Sequence, residues 1–422
     1  GVTYAFFNYA KEGTTDNIIT TGSITFLYTE VETDLRQSGE IQFDYVNPNN
    51  REVQLENERA CTEHLKCIGA YLAPDEWDEL PNDENIYPVE ASVIIPVRNR
   101  ERTIKDAINS VLEQKTDFEF NLIIVDNHST DGTSQAIASI HDERIIHIIP
   151  QRKDLGIGGC WDLAIRNSQC GRYAIQLDSD DLYSSQDTLK IIVDAFQKQK
   201  AAMVIGSYRM VDFNLETLPP GIIAHKEWTA DNGRNNALRI NGLGAPRAFR
   251  TDILREMGFP NTSYGEDYAL GLAFSRHYRI GRIYDELYLC RRWDGNSDAA
   301  LPIDKINLNN AYKDSLRTIE IQARQSIIEK WNHPINQNEA KNFFNKQIKL
   351  WEEVRLRFED LTKNIETKEL TTDEFKLTAQ FNPCRIVSTA AKIDKKNLKK
   401  RPCFLCDKNR PKEQIYLPID GQ

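Results

Sequence analysis

The feature that most constrains the fold is a regular alternation of short β-branched runs with helical stretches between Ala91 and Val211. Runs such as "ASVIIPV" and "FNLIIVD" read as strands, and each is followed by a segment with helical spacing, such as "RTIKDAINSVLEQ". Strands that alternate with helices of about 10–15 residues predict βαβ units with right-handed crossovers. The sequence therefore predicts an α/β domain with a mainly parallel sheet flanked by helices.

The flanking regions differ from this alternating part in composition and in secondary-structure pattern. Residues 1–88 mix strand-like runs with one helical stretch and end in a segment rich in proline and acid, which predicts an N-terminal α+β extension of unknown role. The sheet domain is expected to occupy residues 89–302. A charged, helical region with one apolar face follows over 303–376, and a last segment begins at residue 377 and runs to 422.

Composition narrows the class of protein. The chain has 422 residues, and because single cores stop growing near about 250–300 residues, more than one domain is expected. Its 53 basic and 63 acidic residues give a net charge of −10, which argues against a chain-wide nucleic-acid footprint. No apolar run approaches the roughly 20 residues of a membrane span, the start does not read as a signal peptide, and Gly1 is interpreted as a cloning remnant. Eight scattered cysteines favour a reducing, cytoplasmic location.

Polar residues follow four successive strands of the predicted sheet, as "PVRNR", "DNHSTDGT", "PQRKDLGIGG" and "DSDD". Ligands of open parallel sheets bind beyond the carboxyl ends of the strands, so these segments are expected to form one site. In "DSDD" (178–181), two full charges about 6 Å apart repel by on the order of 3 kcal/mol at an effective dielectric of 20. A positive ligand is therefore predicted there. The alternative is that such aspartates, Asp181 above all, only cap a helix or form a turn.

The ordered set of motifs resembles the family 2 glycosyltransferases of GT-A fold, over about residues 91–300. The matching segments are "PVRN" (96–99), "DNHSTDGT" (126–133), Gly156, "DSDD" (178–181) and "YGEDYALGLAF" (264–274). The resemblance implies a GT-A-type sheet and a nucleoside-diphosphate sugar donor, with a UDP-sugar favoured. It also implies a saccharide acceptor.

The resemblance assigns roles residue by residue. Asp180 is the implied ligand of a divalent metal ion, Mn²⁺ or Mg²⁺, which holds the donor diphosphate. Asp178 would face the ribose, and Asp126 would accept a hydrogen bond from the imide N–H of the base. The full implied donor-binding set is Pro96, Val97, Arg98, Asn99, Asp126, Asn127, Gly156, Asp178 and Ser179.

The catalytic residues implied by the resemblance lie in "YGEDYALG". Inversion at an anomeric carbon needs a base to deprotonate the acceptor hydroxyl, and Asp267 would be this base, with Glu266 contacting the acceptor. The alternative is that both acids only stabilise the start of a helix through its dipole.

One departure from the family pattern concerns the metal. Many members carry a late histidine as a further ligand, whereas "YLCRRWDGNSD" (288–298) offers Trp293 near that position. The open alternatives are that water or Asp294 completes the ion's shell, or that Arg291 or Arg292 contacts phosphate directly. His225 and His277 are interpreted as surface or helix residues rather than ligands.

The C-terminal segment carries a second resemblance. The "NPCRIVS" run and "RPCFLCDKNRP" are similar to the opening of nucleotide-sugar phosphorylases and uridylyltransferases of the histidine-triad superfamily. Cys403 and Cys406 would supply two of the four ligands of a zinc ion. The alternatives are that they form a redox pair or that they have no role. The segment is expected to be a truncated piece of a longer bifunctional protein, without activity of its own.

Three functions remain at this stage. The leading prediction is an inverting, metal-assisted glycosyltransferase that builds a glycan or glycan precursor and binds no nucleic acid. A sugar-1-phosphate nucleotidylyltransferase is the first alternative, although the loop "PVRNRERT" differs from the glycine-rich loop such enzymes need. A non-catalytic module that binds nucleotide sugars is the second.

Overall fold

The structure is a computed structural model that describes residues 2–3, 9–11, 14–21, 24–31, 51–226, 228–229, 232–240, 242–293, 295–296 and 303–331. The N-terminal part contains a four-stranded antiparallel sheet and a helix. Their bounds are β1 (Val2–Thr3), β2 (Tyr9–Lys11), β3 (Thr14–Thr21), β4 (Ile24–Val31) and α1 (Arg51–Cys67). An α+β N-terminal extension is thus present.

A nine-stranded sheet forms the centre of the described chain, in the order β7-β6-β5-β8-β12-β10-β13-β9 with β11 paired to β10. Its strands are β5 (Ala91–Val97), β6 (Phe120–Asp126), β7 (Ile145–Ile148), β8 (Tyr173–Gln176), β9 (Leu182–Tyr183), β10 (Met203–Val211), β11 (Thr217–Ile223), β12 (Arg247–Arg250) and β13 (Ile280–Arg291). The half made of β7, β6, β5 and β8 is parallel, and β12 then pairs antiparallel with both β8 and β10.

Helices cover both faces of this sheet. They are α2 (Ile104–Leu112), α3 (Thr133–Ala138), α4 (Ile157–Ile165), α5 (Thr188–Gln199), α6 (Gly233–Asn236), α7 (Thr251–Met257), α8 (Glu266–His277) and α9 (Ile303–Trp331). None of these helices, nor α1, combines the length and apolar content needed to cross a bilayer. The predicted α/β fold, with its N-terminal extension and a C-terminal helix, is confirmed.

The period-2 alternation of the strands separates two apolar cores. Along β5, Ile94 packs into the core shared with α4, α7 and α8, while Val93 and Ile95 pack into the core under α2, α3 and α5. Helix α2 has a matching apolar stripe, because Ile104 and Ile108 recur at helical spacing and are fully buried. Strands buried on both faces explain why the parallel half reads as continuous apolar runs.

Register places the predicted loops together. Strands β5 and β6 are aligned from Ala91 with Phe120 to Val97 with Asp126, and β8 pairs in parallel with the first half of β5. The segments after β5, β6 and β8 therefore leave the sheet at one edge, as expected of a parallel arrangement.

Helix α9 packs on α8 through a buried charged network. Glu320 lies 3.4 Å from the Arg276 Nε and accepts a 2.7 Å hydrogen bond from the Arg324 Nε, and all three side chains are fully buried. The Arg317 Nε also donates to the Tyr268 hydroxyl at 3.0 Å. Since removing one member of a buried ion pair leaves the other charge uncompensated, this network fixes α9 against the helix that begins with Glu266.

Some sequence-based expectations fall outside the described residues. These are the strand-like run at 41–46, the amphipathic helical stretch at 339–364 and the Cys403–Cys406 pair. The domain bounds proposed from the sequence stay predictions.

Candidate active site

A cavity of about 610 Å³ opens at the carboxyl edge of the parallel strands. Its size lies within the range of small-molecule sites, about 300–1,000 Å³. Both predicted acidic clusters line it, Asp178 to Asp181 from the end of β8, and Glu266 with Asp267 from the start of α8. Residues about 90 positions apart in the chain are thus brought to one site.

Most of the predicted donor-binding residues line this cavity. Pro96, Val97 and Arg98 do so from the end of β5, and Asp178 and Ser179 do so from the end of β8. Asn127 also lines it, and its side-chain amide donates to the Leu155 carbonyl at 2.8 Å, which ties the loop after β6 to the loop before α4.

Asp126 does not line the cavity. Its carboxylate is fully buried, where Oδ1 accepts the Ser129 backbone N–H at 3.0 Å and Oδ2 accepts the Ser134 hydroxyl. Burial disfavours its charge, but the bonds from Ser129 and Ser134 outweigh it and lower the pKa of Asp126. In this structure Asp126 orders its own loop, and its contact with a base stays a prediction.

Asn99 and Gly156 support the cavity from behind. Asn99 has a left-handed backbone (φ 54°), and its Oδ1 accepts the Thr130 N–H at 2.8 Å. A Cβ at Gly156 would lie 2.5 Å from the Thr262 carbonyl carbon, so the start of α4 passes that loop too closely for any side chain. Both residues therefore shape loops, and neither lies among the cavity-lining residues.

Asp180 is surrounded by N–H donors. The Trp293 indole and the Asn296 amide each donate to Oδ2 at 3.2 Å, and the Arg100 Nε lies 3.6 Å from the same oxygen. Asp181 is buried, and its Oδ1 accepts the Arg291 backbone N–H at 2.8 Å. Burial, with repulsion from the neighbouring aspartates, holds the pKa of Asp181 well above its usual range, and burial also raises the pKa of Asp178. The cluster carries more acid than its surroundings neutralise.

Asp180 offers one partial place for a divalent ion. The part of the chain that the structure describes contains no group of three or more His, Cys, Asp or Glu side chains placed to hold a metal. Asp180 Oδ1, however, accepts no hydrogen bond from any of the described residues, and the Asp180 side chain is 13% exposed. Mg²⁺ sites commonly combine one or two carboxylates with substrate phosphates and water. The residues fit a cation completed by a diphosphate, and they do not fit one held by the protein alone.

The structure distinguishes the side chains considered as substitutes for the missing histidine. Arg291 is committed elsewhere, since its side chain donates to Asp106 at 2.7 Å and to the Asp180 carbonyl. Arg292 lines the cavity, and Asp294 lies outside the described residues. His225 is buried and lines the cavity, so its interpretation as a surface or helix residue is wrong, while His277 ends α8 as expected.

Glu266 and Asp267 adjoin in sequence but differ in electrostatic setting. Asp267 Oδ2 lies 3.0 Å from the Arg247 Nη1. Enclosure disfavours its charge, yet Arg247 and then Lys313 outweigh this and lower the pKa of Asp267. Glu266 has no such partner, and burial together with the Asp267 charge raises its pKa to about 8. The pKa values of the two groups are thus shifted in opposite directions, which favours an ionised Asp267 beside a protonated Glu266.

Sequence reasoning missed Arg247 and Lys313. Arg247 begins the four-residue strand β12, and Lys313 comes from α9, where its ammonium lies 4.8 Å from the centre of the Tyr264 ring. Both line the cavity. An arginine after "GAP" and a lysine on a charged helix carry no local signal, and only the fold brings them to Asp267.

Comparison with known proteins agrees with the motifs. Residues 92–258 match the family profile described as "Glycosyl transferase family 2". An uncharacterised glycosyltransferase of Rickettsia felis is 28% identical over 204 residues, which cover 48% of this chain and 33% of that protein. The Escherichia coli UDP-Glc:alpha-D-GlcNAc-diphosphoundecaprenol beta-1,3-glucosyltransferase WfgD is 28% identical over 46% of this chain and 72% of its own length. The chain spans only about a third of the length of several relatives that it matches.

Two further comparisons concern the fold and the C-terminal segment. The crystal structure of Staphylococcus aureus TarS 1–349 in complex with UDP-GlcNAc aligns with a TM-score of 0.46 and 19% identity, over 69% of this chain and 80% of that one. Residues 343–422 match a domain of unknown function, DUF4922, and the histidine-triad resemblance of the segment stays a prediction. Residues 92–258, which provide the sheet edge and the aspartate cluster, are thus the part of this chain that is similar to the glycosyltransferase family 2 profile.

Proposed function

We propose that this chain is an inverting glycosyltransferase, which transfers a sugar from a nucleoside-diphosphate sugar to a hydroxyl of a glycan or glycan precursor. The observation that carries the proposal is the single cavity lined by two acidic clusters of different character. One cluster packs three aspartates together, which with burial raises the pKa of Asp181, and the other contains a carboxylate kept ionised by an arginine. A donor with a cation and an acceptor with a hydroxyl are the two ligands these clusters suit.

The proposed reaction uses the ionised Asp267 as general base. The acceptor oxygen attacks the anomeric carbon from the face opposite the diphosphate, and its proton moves to the Asp267 carboxylate. The bond between the anomeric carbon and the diphosphate oxygen breaks, and its electron pair leaves with the diphosphate. A base with a lowered pKa is ionised at neutral pH and is ready for this step.

Asp180, through a bound cation, and the basic residues of the cavity would receive the diphosphate, while Asp178 would face the ribose. Asp180 would bind Mn²⁺ or Mg²⁺ through its Oδ1, and such an ion supplies Lewis-acid stabilisation of a departing diphosphate. Arg98 and Arg292 line the same cavity and would add positive charge to the donor site. A UDP-sugar is the proposed donor, which the activity named for the E. coli relative supports.

The proposal for the remaining regions follows the sequence. Residues 1–88 are proposed as an extension, 89–302 as the catalytic domain and 303–376 as a helical region. Residues 377–422 are proposed as part of a second, nucleotidyltransferase-like domain. No role in the transfer step is assigned to that last segment.

The experiment that tests the function measures UDP release from UDP-glucose and UDP-GlcNAc, with and without Mn²⁺, in wild type and Asp180→Ala. We expect Mn²⁺-stimulated release in wild type and a loss of about 100-fold or more in the variant, since electrostatic stabilisation of the leaving group is lost. The exposed Asp285, changed to alanine, is the matched control. Equal, metal-independent release by wild type and Asp180→Ala would reject the metal assignment, and no release by either would reject the function.

A further inference from the structure

Glu266 occupies a confined position at the edge of the cavity. It is the first residue of α8, only 9% of its surface is exposed, and it follows Gly265, whose backbone is left-handed (φ 74°). Gly158 of α4 packs against it so closely that a Cβ there would lie 3.0 Å from the Glu266 Cβ and within van der Waals overlap of the Pro260 carbonyl. Helix α4 therefore packs directly against the base of the Glu266 side chain.

One carboxyl oxygen of the Glu266 side chain is placed to form a hydrogen bond with a ligand. Oε2 is buried and has no hydrogen-bond partner among the described residues, and Glu266 lines the cavity together with Asp267. A buried carboxylate oxygen without a donor is costly, so such a group is expected either to take up a proton or to meet a ligand. Burial of Oε2 favours the protonated form, and the place of Glu266 in the cavity lining favours contact with a ligand.

The charges that face Glu266 favour the protonated form. Asp267 on its own helix and Asp178 beyond β8 are both acidic, and Arg247 of β12 is the cation that acts on it. Arg247 is already bonded to Asp267 at 3.0 Å, while Lys313 of α9 acts on Asp267, and α4 packs against Glu266 with Gly158, which carries no charge. Burial is the largest effect, and the pKa of Glu266 rises to about 8.

We propose that Glu266 works as a neutral carboxylic acid, which donates a hydrogen bond to an oxygen of the saccharide bound beside Asp267. The inference rests on the proposed function and deepens it, because it divides the pair into a proton acceptor, Asp267, and a hydrogen-bond donor, Glu266. No bond of Glu266 is made or broken in the reaction. The neutral form also keeps a second negative charge away from Asp267 and from the diphosphate.

The two forms of Glu266 predict a specific pH dependence. Below about pH 8 the proton is present and the saccharide is held. As pH rises through this value the donor is lost and a negative charge appears, so turnover falls. Because the folded-state pKa lies above the ordinary value of about 4.3, the same ionisation also lowers the stability of the fold as pH rises from about 5 to 8.

The decisive comparison uses Glu266→Gln, which mimics the neutral acid with an amide donor, and Glu266→Ala, which removes the donor. Activity is measured on the full chain as UDP release from UDP-glucose and UDP-GlcNAc with a panel of saccharide acceptors, between pH 5.5 and about 9.5. The glutamine variant is expected to retain about tenfold more activity than the alanine variant and to lose the alkaline fall of wild type. Alanine-like activity in the glutamine variant, or an unchanged alkaline fall, would overturn the proposal.

A second readout separates this inference from the proposed function. Infrared spectra of the full chain with ¹³C-labelled glutamate should contain a protonated-carboxyl band at pH 7 that is absent from Glu266→Gln and titrates near pH 8. The glutamine variant should also gain thermal stability relative to wild type as pH rises from 5 to about 9. If no variant releases UDP, the proposed function fails, while the band still decides the protonation state. Absence of the band at pH 7 overturns the inference even in an active enzyme.

Discussion

The Asp178–Asp181 cluster and the Glu266–Asp267 pair both crowd carboxyl groups against one cavity, but they are neutralised in different ways. In the pair, Arg247 contacts Asp267 at 3.0 Å and keeps it ionised. In the cluster, the Asp180 carboxylate accepts two N–H bonds at 3.2 Å, and the Arg100 guanidinium approaches to 3.6 Å. The pair thus has its cation within the fold, whereas the cluster still lacks charge that a ligand can supply.

Arg247 links the two regions. It bonds to Asp267, and its charge also acts to lower the pKa of Asp178. Its backbone N–H donates to the Gln176 side chain at 3.2 Å, which holds β12 beside the end of β8. One cation therefore serves two groups of acids, and the comparison can be tested by removing charges from either side.

The largest effect is expected for Asp267→Asn. Loss of a general base typically costs about 10²–10⁴-fold in rate, and the neutral amide cannot accept the acceptor proton. Affinity for UDP with Mn²⁺, measured by calorimetry, should change less than about threefold, because the donor is assigned to the other cluster. The opposite pattern, weak UDP binding with residual turnover, would mean that donor binding and base catalysis are not assigned to separate clusters.

Arg247→Met should have an intermediate effect. Arg247 is the main group that lowers the pKa of Asp267, so its removal raises that pKa. Because the base works when ionised, the acid limb of the pH–rate profile should move to higher pH, with a loss of about tenfold to a hundredfold at pH 6 that shrinks by pH 8.

Arg247→Lys is the matched control for this change, since it keeps the positive charge and loses the planar fork. It should restore most of the acid limb. A uniform loss at every pH in both variants, with equal loss of thermal stability, would show that Arg247 supports the fold of β12 rather than the charge of Asp267.

Much of the fold follows from local patterns. The run "FNLIIVD" corresponds to Phe120–Asp126 without a shift at either end, because a buried parallel strand is apolar throughout and stops where charge begins. The antiparallel strand β12 gave no comparable signal. Four residues, two of them arginine, are too few to display a period, and their pairing with β8 and β10 depends on distant parts of the chain.

The residues of the candidate site also fall into two groups, those with a local sequence signal and those without one. Clustered acids at a strand end repel one another, so their sequence already indicates a ligand or a function, whereas the acids at the start of α8 are identified through the family motif. The groups that tune them are ordinary in their own segments: Arg247 within a strand, and Trp293 after β13, donating to Asp180. Their effect depends on distances that only the tertiary structure sets, and the protonation of Glu266 depends on burial in the same way.

The smallest effect is expected for Trp293, the residue near the place of the family's histidine. Its indole N–H donates to Asp180 Oδ2 at 3.2 Å, and its ring packs edge-on against Phe213 at 5.5 Å. Trp293→Phe keeps an aromatic ring and removes one donor that competes with a cation for this carboxylate. The apparent affinity for Mn²⁺ in the presence of UDP should therefore tighten about threefold, less than the value of a full hydrogen bond to a charged group.

Trp293→His sharpens this last test, because an imidazole nitrogen is a ligand for Mn²⁺ whereas an indole is only a donor. It should tighten Mn²⁺ further than the phenylalanine variant, as measured by the Mn²⁺ concentration that half-saturates UDP release. If both variants weaken the response to Mn²⁺, the indole orients Asp180 for the ion rather than competing with it. The cluster would then be preorganised by its N–H donors, as the pair is by Arg247, and the contrast between the two regions would be one of degree.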